Sequence, residues 1–262
     1  AAPHLYEPYS KPACAAGVDA IISGAGLPTE LPKFAEGYDV ALAPIVSSTK
    51  SANVILKFWD KKYHRTADFL VIEGPLAGGH LGFSREQLED IPGLDYDTEI
   101  RNIIALKQTY EEKYQTTIPV FVAGGMFTAE DVKHVLELGA DGIQAATRFV
   151  ATEECDASDA YKQAYVNASE EDVLIIKSPV GMPGRAIRNA FIERMLTAPD
   201  KISHCFNCLK ACNPATAPYC ITQALINAVV GDLDNGLIFC GSRVGEIREI
   251  TTVPKLMQEL TV

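Results

Sequence analysis

Five short apolar runs recur through the first 150 residues, each closing on small or polar residues. They are Val18–Ser23, Asp39–Val46, Ala67–Ile72, Ile118–Val122 and Asp141–Ala145. A helical pattern over residues 5–16 leads into the first, and others follow between later runs: Lys50–Tyr63, a long charged stretch over 97–114, and Ala129–Leu138 stopped by Gly139. Continuous apolar runs bounded by helices are the pattern of parallel strands covered on both faces. The residues that stand out lie after successive strands: Ser23-Gly24, Ser47-Ser48, Glu73-Gly74, Ala123-Gly124-Gly125 and Gln144. A doubly wound sheet gathers function at one switch point, whereas a (β/α)8 barrel places it at the carboxyl ends of many strands. The expected fold is therefore an α/β TIM barrel. Only five strands are legible, so the barrel reads as truncated at its amino end, and an open sheet is the alternative. Two regions are expected: a partial barrel over 1–168 holding strands four to eight, and a mostly helical, cysteine-containing extension over 169–262.

Composition excludes several classes. The chain has 23 basic and 34 acidic residues, a net charge of −11, with no basic cluster. Nucleic acid is an unsuitable partner, because phosphate neutralisation dominates such binding. No run approaches the ~20 apolar residues of a membrane helix, and no signal peptide is visible. Seven cysteines, most of them toward the carboxyl end, suit a reducing cytoplasm better than a disulfide framework.

The segment Glu73-Gly74-Pro75-Leu76-Ala77-Gly78-Gly79-His80-Leu81-Gly82 carries the strongest chemical signal. Gly78 and Gly79 let backbone approach a flat ligand, since no Cβ intervenes. His80 is the natural proton carrier near neutrality; the bland reading is a surface histidine in a loop. Glu73 reads as a buried carboxyl that shapes this loop rather than as an acid–base group. The strand ends at Ala123-Gly124-Gly125 and Gln144-Ala145-Ala146-Thr147-Arg148 occupy the seventh and eighth barrel positions, where phosphate is commonly bound. Thr147 would add a hydroxyl and Arg148 a charge; ligand-free turns are the alternative. Gly24, in Ser23-Gly24-Ala25-Gly26, resembles a dinucleotide loop only superficially, because position 29 is threonine. Cys205, Cys208, Cys212 and Cys220 have spacing compatible with an iron–sulfur cluster or four-thiolate zinc, and equally with small buried hydrophobes. Cys240 reads as core.

The histidine loop, Val122-Ala123-Gly124-Gly125 and Gly142-Ile143-Gln144-Ala145-Ala146-Thr147-Arg148-Phe149 resemble the three signatures of the nitronate monooxygenase (2-nitropropane dioxygenase) family. The similarity runs in consistent order from residue 18 to about 195. That family consists of FMN-binding barrels, related to flavin-dependent enoyl-acyl-carrier-protein reductases that share the glycine-glycine-histidine loop. The resemblance implies an FMN-dependent oxidoreductase that converts an alkyl nitronate and O2 to a carbonyl compound and nitrite. In that role His80 abstracts an α-proton or holds the nitronate, while the 123–125 and 144–147 loops hold the FMN phosphate. Gly24 would lie over the substrate side of the flavin, and Pro183-Gly184-Arg185 within 177–189 would form a lid. Family members open with a strand that has no match here, so about three βα units are expected to be absent. Within the fold, an NADH-dependent reductase of enoyl thioesters is the runner-up. A non-redox barrel binding a phosphorylated metabolite is the alternative of another class, and homodimer formation stays open.

Overall fold

The computed structural model describes residues 3–198, 201–208 and 212–262. In chain order its strands are β1 (Ala20–Ser23), β2 (Ala41–Val46), β3 (Leu70–Glu73), β4 (Gly79–His80), β5 (Val120–Ala123), β6 (Gly142–Gln144), β7 (Val173–Lys177) and β8 (Pro183–Ile187). The chain divides into two units, each drawn from several stretches of sequence. The first comprises the chain through Pro75, Glu86–Ala123 and Lys133–Gln144; the second comprises Leu76–Arg85, Gly124–Val132 and the chain from Ala145 onward.

The first unit is built on a parallel sheet ordered β1-β2-β3-β5-β6, so successive βα units lie side by side as in a barrel wall. Leu42, Leu70, Ile72 and Val120 are fully buried within it, which explains why these strands read as continuous apolar runs. Aspartates just ahead of two strands tie neighbouring strands together. Asp68 accepts from the Leu42 amide at 2.7 Å, and Asp141 accepts from the Val120 amide at 2.8 Å. The helix Thr49–Tyr63 starts from a Ser48–Ser51 capping box and stops at left-handed His64. It buries Ala52, Ile55, Leu56 and Trp59, a stripe at helical spacing. The Trp59 indole donates to the Pro28 carbonyl at 3.1 Å, so its one polar atom is satisfied although the side chain is fully buried.

The second unit holds an antiparallel sheet ordered β4-β8-β7. The segment expected as a lid, 177–189, supplies the turn and second strand of the β7–β8 hairpin, which is in register Lys177↔Pro183 and Val173↔Ile187. Pro183 is tolerated as the first residue of its strand. β8 also pairs with the histidine strand, Gly79↔Arg185 and His80↔Gly184. The same unit holds helices Asp159–Asn167, Ala190–Thr197, Ile221–Val230 and Val253–Leu260. One apolar cluster gathers Tyr165, Ile187, Ile238, Cys240 and Val244; another gathers Ala186, Phe191, Ile192, Tyr219 and Leu237.

Candidate active site

The second unit holds the histidine loop and fixes it from two directions. A Cβ at Gly78 would lie 2.6 Å from the Cys240 carbonyl carbon, so only glycine lets these backbones meet. Arg185, 3 % exposed, donates to the Ala77 carbonyl. The next residues enter β4, and His80 Nε2 lies 2.7 Å from Ser178 Oγ. The imidazole stands edge-on to Phe239, with ring centroids 4.9 Å apart. Burial holds its pKa below the ordinary 6.5, so the ring is neutral at physiological pH and able to accept a proton. Ser178 is itself 2 % exposed and is fixed by its own turn, in which its amide donates to Met182 O at 3.1 Å. The partner of His80 is therefore preorganised.

The segment Phe239-Cys240-Gly241-Ser242-Arg243 ties the remaining loops of this unit together. The Gly241 amide donates to Thr147 Oγ1 at 3.0 Å, the Ser242 amide to Leu76 O at 3.2 Å, and Arg243 to Gly125 O at 3.3 Å. A Cβ at Gly241 would fall 2.6 Å from Thr147 Oγ1. Arg243 is anchored in turn by ion pairs to Asp131 and Glu246. Ser242 Oγ is buried and has no hydrogen-bond partner, an orphaned polar atom that a ligand would satisfy. His80, Gly78, Gly79, Gly124, Gly125 and Thr147 are thus gathered within one unit, with Ala145 and Ala146 leading directly into Thr147. The sequence alone marks Cys240 as core and does not single out the loop 239–243. Its signal was the apolar run Leu237-Ile238-Phe239 ending in small residues, the same pattern that marks the other strand ends.

Gly24, Ala123 and Gln144 belong to the first unit. Ala123 and Gln144 face each other as the last pair of the β5–β6 ladder. Gly24 follows β1, where a Cβ would lie 2.7 Å from Ile45 Cδ1. Also in this unit, burial pushes the Glu73 carboxyl from 4.5 up to about 7. The Tyr96 hydroxyl lies 2.9 Å from the Glu73 carbonyl oxygen and 3.2 Å from that of Ser47, joining two strand ends.

Two expectations change. Arg148 is no free charge for a phosphate: it donates to Phe127 O at 2.8 Å, pairs with Glu259 and stacks on Phe127. Cys205, Cys208, Cys212 and Cys220 do line one cavity, but its volume is about 20 Å³, room for about one water-sized body rather than a cluster. Among the described residues no three His, Cys, Asp or Glu side chains are placed to hold a metal ion. The cysteine spacing is realised as a shared cavity and not as a ligand set.

The family model for nitronate monooxygenase matches residues 9–262. A probable nitronate monooxygenase of Staphylococcus saprophyticus is 32% identical over 135 residues, covering 52% of this chain and 36% of that protein. One from Staphylococcus aureus strain Newman is 31% identical over 128 residues, 49% of this chain and 34% of that protein. The match thus spans about a third of the length of these curated relatives. Among solved structures, FabK from Thermotoga maritima superposes with a TM-score of 0.71 at 26% identity, covering 96% of this chain and 69% of that one. The nitroalkane oxidase of Streptomyces ansochromogenes gives a TM-score of 0.67 at 20% identity, covering 97% of this chain and 66% of that one, a likeness of fold. No helix among the described residues is long and apolar enough to cross a membrane. With a family model that matches nearly the whole chain, this chain belongs to the nitronate monooxygenase family.

Proposed function

We propose that the protein binds FMN and oxidises alkyl nitronates with O2 to a carbonyl compound and nitrite. The observation that carries this reading is the pairing of a neutral, half-buried His80 with Ser178 beside a glycine-built loop. In the tautomer where Nε2–H donates to Ser178 Oγ, Nδ1 holds the lone pair and takes the α-proton of a neutral nitroalkane. For a nitronate already formed, the same ring positions the anion. Ser178 keeps the imidazole in one orientation throughout.

The second unit fits the cofactor. The glycine pair at 78–79 offers backbone to a flat ring, and Gly124, Gly125, Ala145, Ala146 and Thr147 would hold the phosphate. The orphaned hydroxyl of Ser242 adds a donor that a phosphate oxygen would satisfy. When bound, FMN supplies the electron transfer between nitronate and oxygen; the chain supplies binding, orientation and the proton acceptor.

The test is oxygen uptake and nitrite release by the FMN-loaded protein given ethyl nitronate. Uptake with stoichiometric nitrite upholds the reading, and its absence overturns it. A second reading, reduction of an enoyl thioester by NADH, draws support from the likeness to FabK. Consumption of NADH with an enoyl thioester, without nitronate turnover, would favour it. A protein that stays colourless after FMN reconstitution would favour a non-redox phosphometabolite barrel.

A further inference from the structure

Four of the nine residues around the small cavity of the second unit are cysteines, and the reaction at His80 uses none of them. All four are free thiols. With about 20 Å³ between them, Cys205, Cys208, Cys212 and Cys220 share a space of about one water-sized body. They differ in access: Cys205 is exposed, and the other three are half-buried. Asn207 takes the left-handed conformation, φ 52°, which asparagine tolerates better than most residues. Its amide donates to Cys205 Sγ at 3.4 Å, so the exposed sulfur is held against the link that leads to Cys208. Cys205 and Cys208 are three residues apart. One tight turn brings such residues within the Cα spacing of a disulfide, roughly 4.4–6.8 Å. Cys212 differs again: burial, reinforced by the neighbouring thiols, pushes its pKa above the ordinary thiol value, so it stays protonated near neutral pH. An accessible cysteine with a second thiol poised to resolve it is the arrangement that peroxides oxidise reversibly.

We propose that Cys205 and Cys208 form a dithiol site oxidised by hydroperoxides, with Cys205 reacting first and Cys208 resolving it. The Cys205 thiolate attacks one peroxide oxygen, the O–O bond breaks, and the sulfur becomes a sulfenic acid as water leaves. The Cys208 thiolate then displaces hydroxide from that sulfur, and the hydroxide takes a proton and departs as water. Two thiols and one hydrogen peroxide thus give one disulfide and two waters. Cys212 and Cys220 keep their thiols. Pro179, which follows Ser178 in the chain, lines the same cavity, so the dithiol borders the turn that holds the partner of His80. The oxidation itself involves neither residue and is independent of the reaction assigned to them.

The experiment treats the reduced chain, freed of reductant, with one equivalent of hydrogen peroxide near neutral pH. Thiols titrated in denaturant should fall from seven to five, two for each bond formed, and dithiothreitol should restore seven. Peptide mapping without reduction should find Cys205 joined to Cys208. Cys205→Ser should slow the loss of thiols about tenfold or more, since the accessible sulfur is gone. Cys208→Ser should leave a sulfenic acid at Cys205 that dimedone traps. A count that stays at seven overturns the site. So does a bond between other cysteines, a bond between two chains, or sulfinic acid at Cys205 in the parent. The mapping is made on the parent chain, so it decides the matter even where a serine variant fails to fold.

Discussion

Replacing Glu73 by glutamine should stabilise the protein, and by an amount that depends on pH. Glu73 ends β3, and burial raises its pKa from 4.5 to about 7. The folded chain therefore keeps a proton that the unfolded chain releases. Between those two values the native state binds one more proton than the unfolded state, so stability falls as pH rises, by about 1.4 kcal/mol per pH unit. Across the whole window the loss reaches about 3 kcal/mol, reduced toward about 2 by the solvent that still reaches the side chain. Glutamine has nearly the same shape and no charge to desolvate. Glu73→Gln should match the parent at about pH 4.5 and exceed it by about 2–3 kcal/mol at about pH 8. Urea unfolding at several pH values reads this directly. With a slope of roughly 2 kcal/mol/M, the midpoints should separate by about 1 M at the alkaline end and coincide at the acid end. A difference that stays constant across the series would refute the argument, because a packing effect carries no proton. A destabilised variant at all pH values would show that the carboxyl is held ionised by a partner, the opposite of a desolvated acid.

The other expectations concern the second unit. His80→Ala should retain FMN but lose about a hundredfold or more in kcat/KM for neutral nitroalkane, with a smaller loss for preformed nitronate; equal losses for both would remove the proton-transfer role. Because burial lowers the pKa of His80, the unprotonated base persists into mild acid. Log kcat/KM for the neutral substrate should therefore be level near neutrality and bend downward only below about pH 6.5, and a bend above neutrality would contradict this sign. Ser242→Ala should weaken FMN binding about tenfold or more, measured by flavin fluorescence, as loss of a hydrogen bond to a charged phosphate predicts. Gly78→Ala forces a Cβ to 2.6 Å from the Cys240 carbonyl carbon, and it should cost about 1–3 kcal/mol in thermal or urea unfolding as well as flavin occupancy.

Much of the first unit is legible because buried parallel strands leave little choice of residue. The runs at 118–122 and 141–145 appear as β5 and β6 within two or three residues of their expected limits. What escapes is whatever depends on a distant partner. Pro183-Gly184-Arg185 has the composition of a turn, yet it is a strand, paired along its length with β7 and also, at Gly184 and Arg185, with His80 and Gly79 about a hundred residues earlier. Arg148 reads in the sequence as a charge for a phosphate, but Glu259 takes that charge. The cysteine spacing predicts proximity, and proximity is what forms; spacing alone does not aim four thiols at one point.

The glycine loop shows most clearly what composition tells and what it withholds. Its density of glycine marks a close approach without saying what approaches. In the fold, the Cys240–Gly241 peptide link is caught between Gly78 on one side and Thr147 Oγ1 on the other. Both glycines are therefore required by the chain's own packing before any ligand enters. A loop assembled this way loses little order on binding, since its backbone conformation is already fixed by its neighbours, and a rigid loop of that kind can position His80 without drawing on the binding energy of the substrate. The same steric lock links segments more than 150 residues apart: a side chain at Gly78 displaces the Cys240–Gly241 link, and one at Gly241 meets Thr147 on the other side. The effects of Gly78→Ala and Gly241→Ala should consequently be more than additive: the first presses the link toward Thr147, where the second already lacks room.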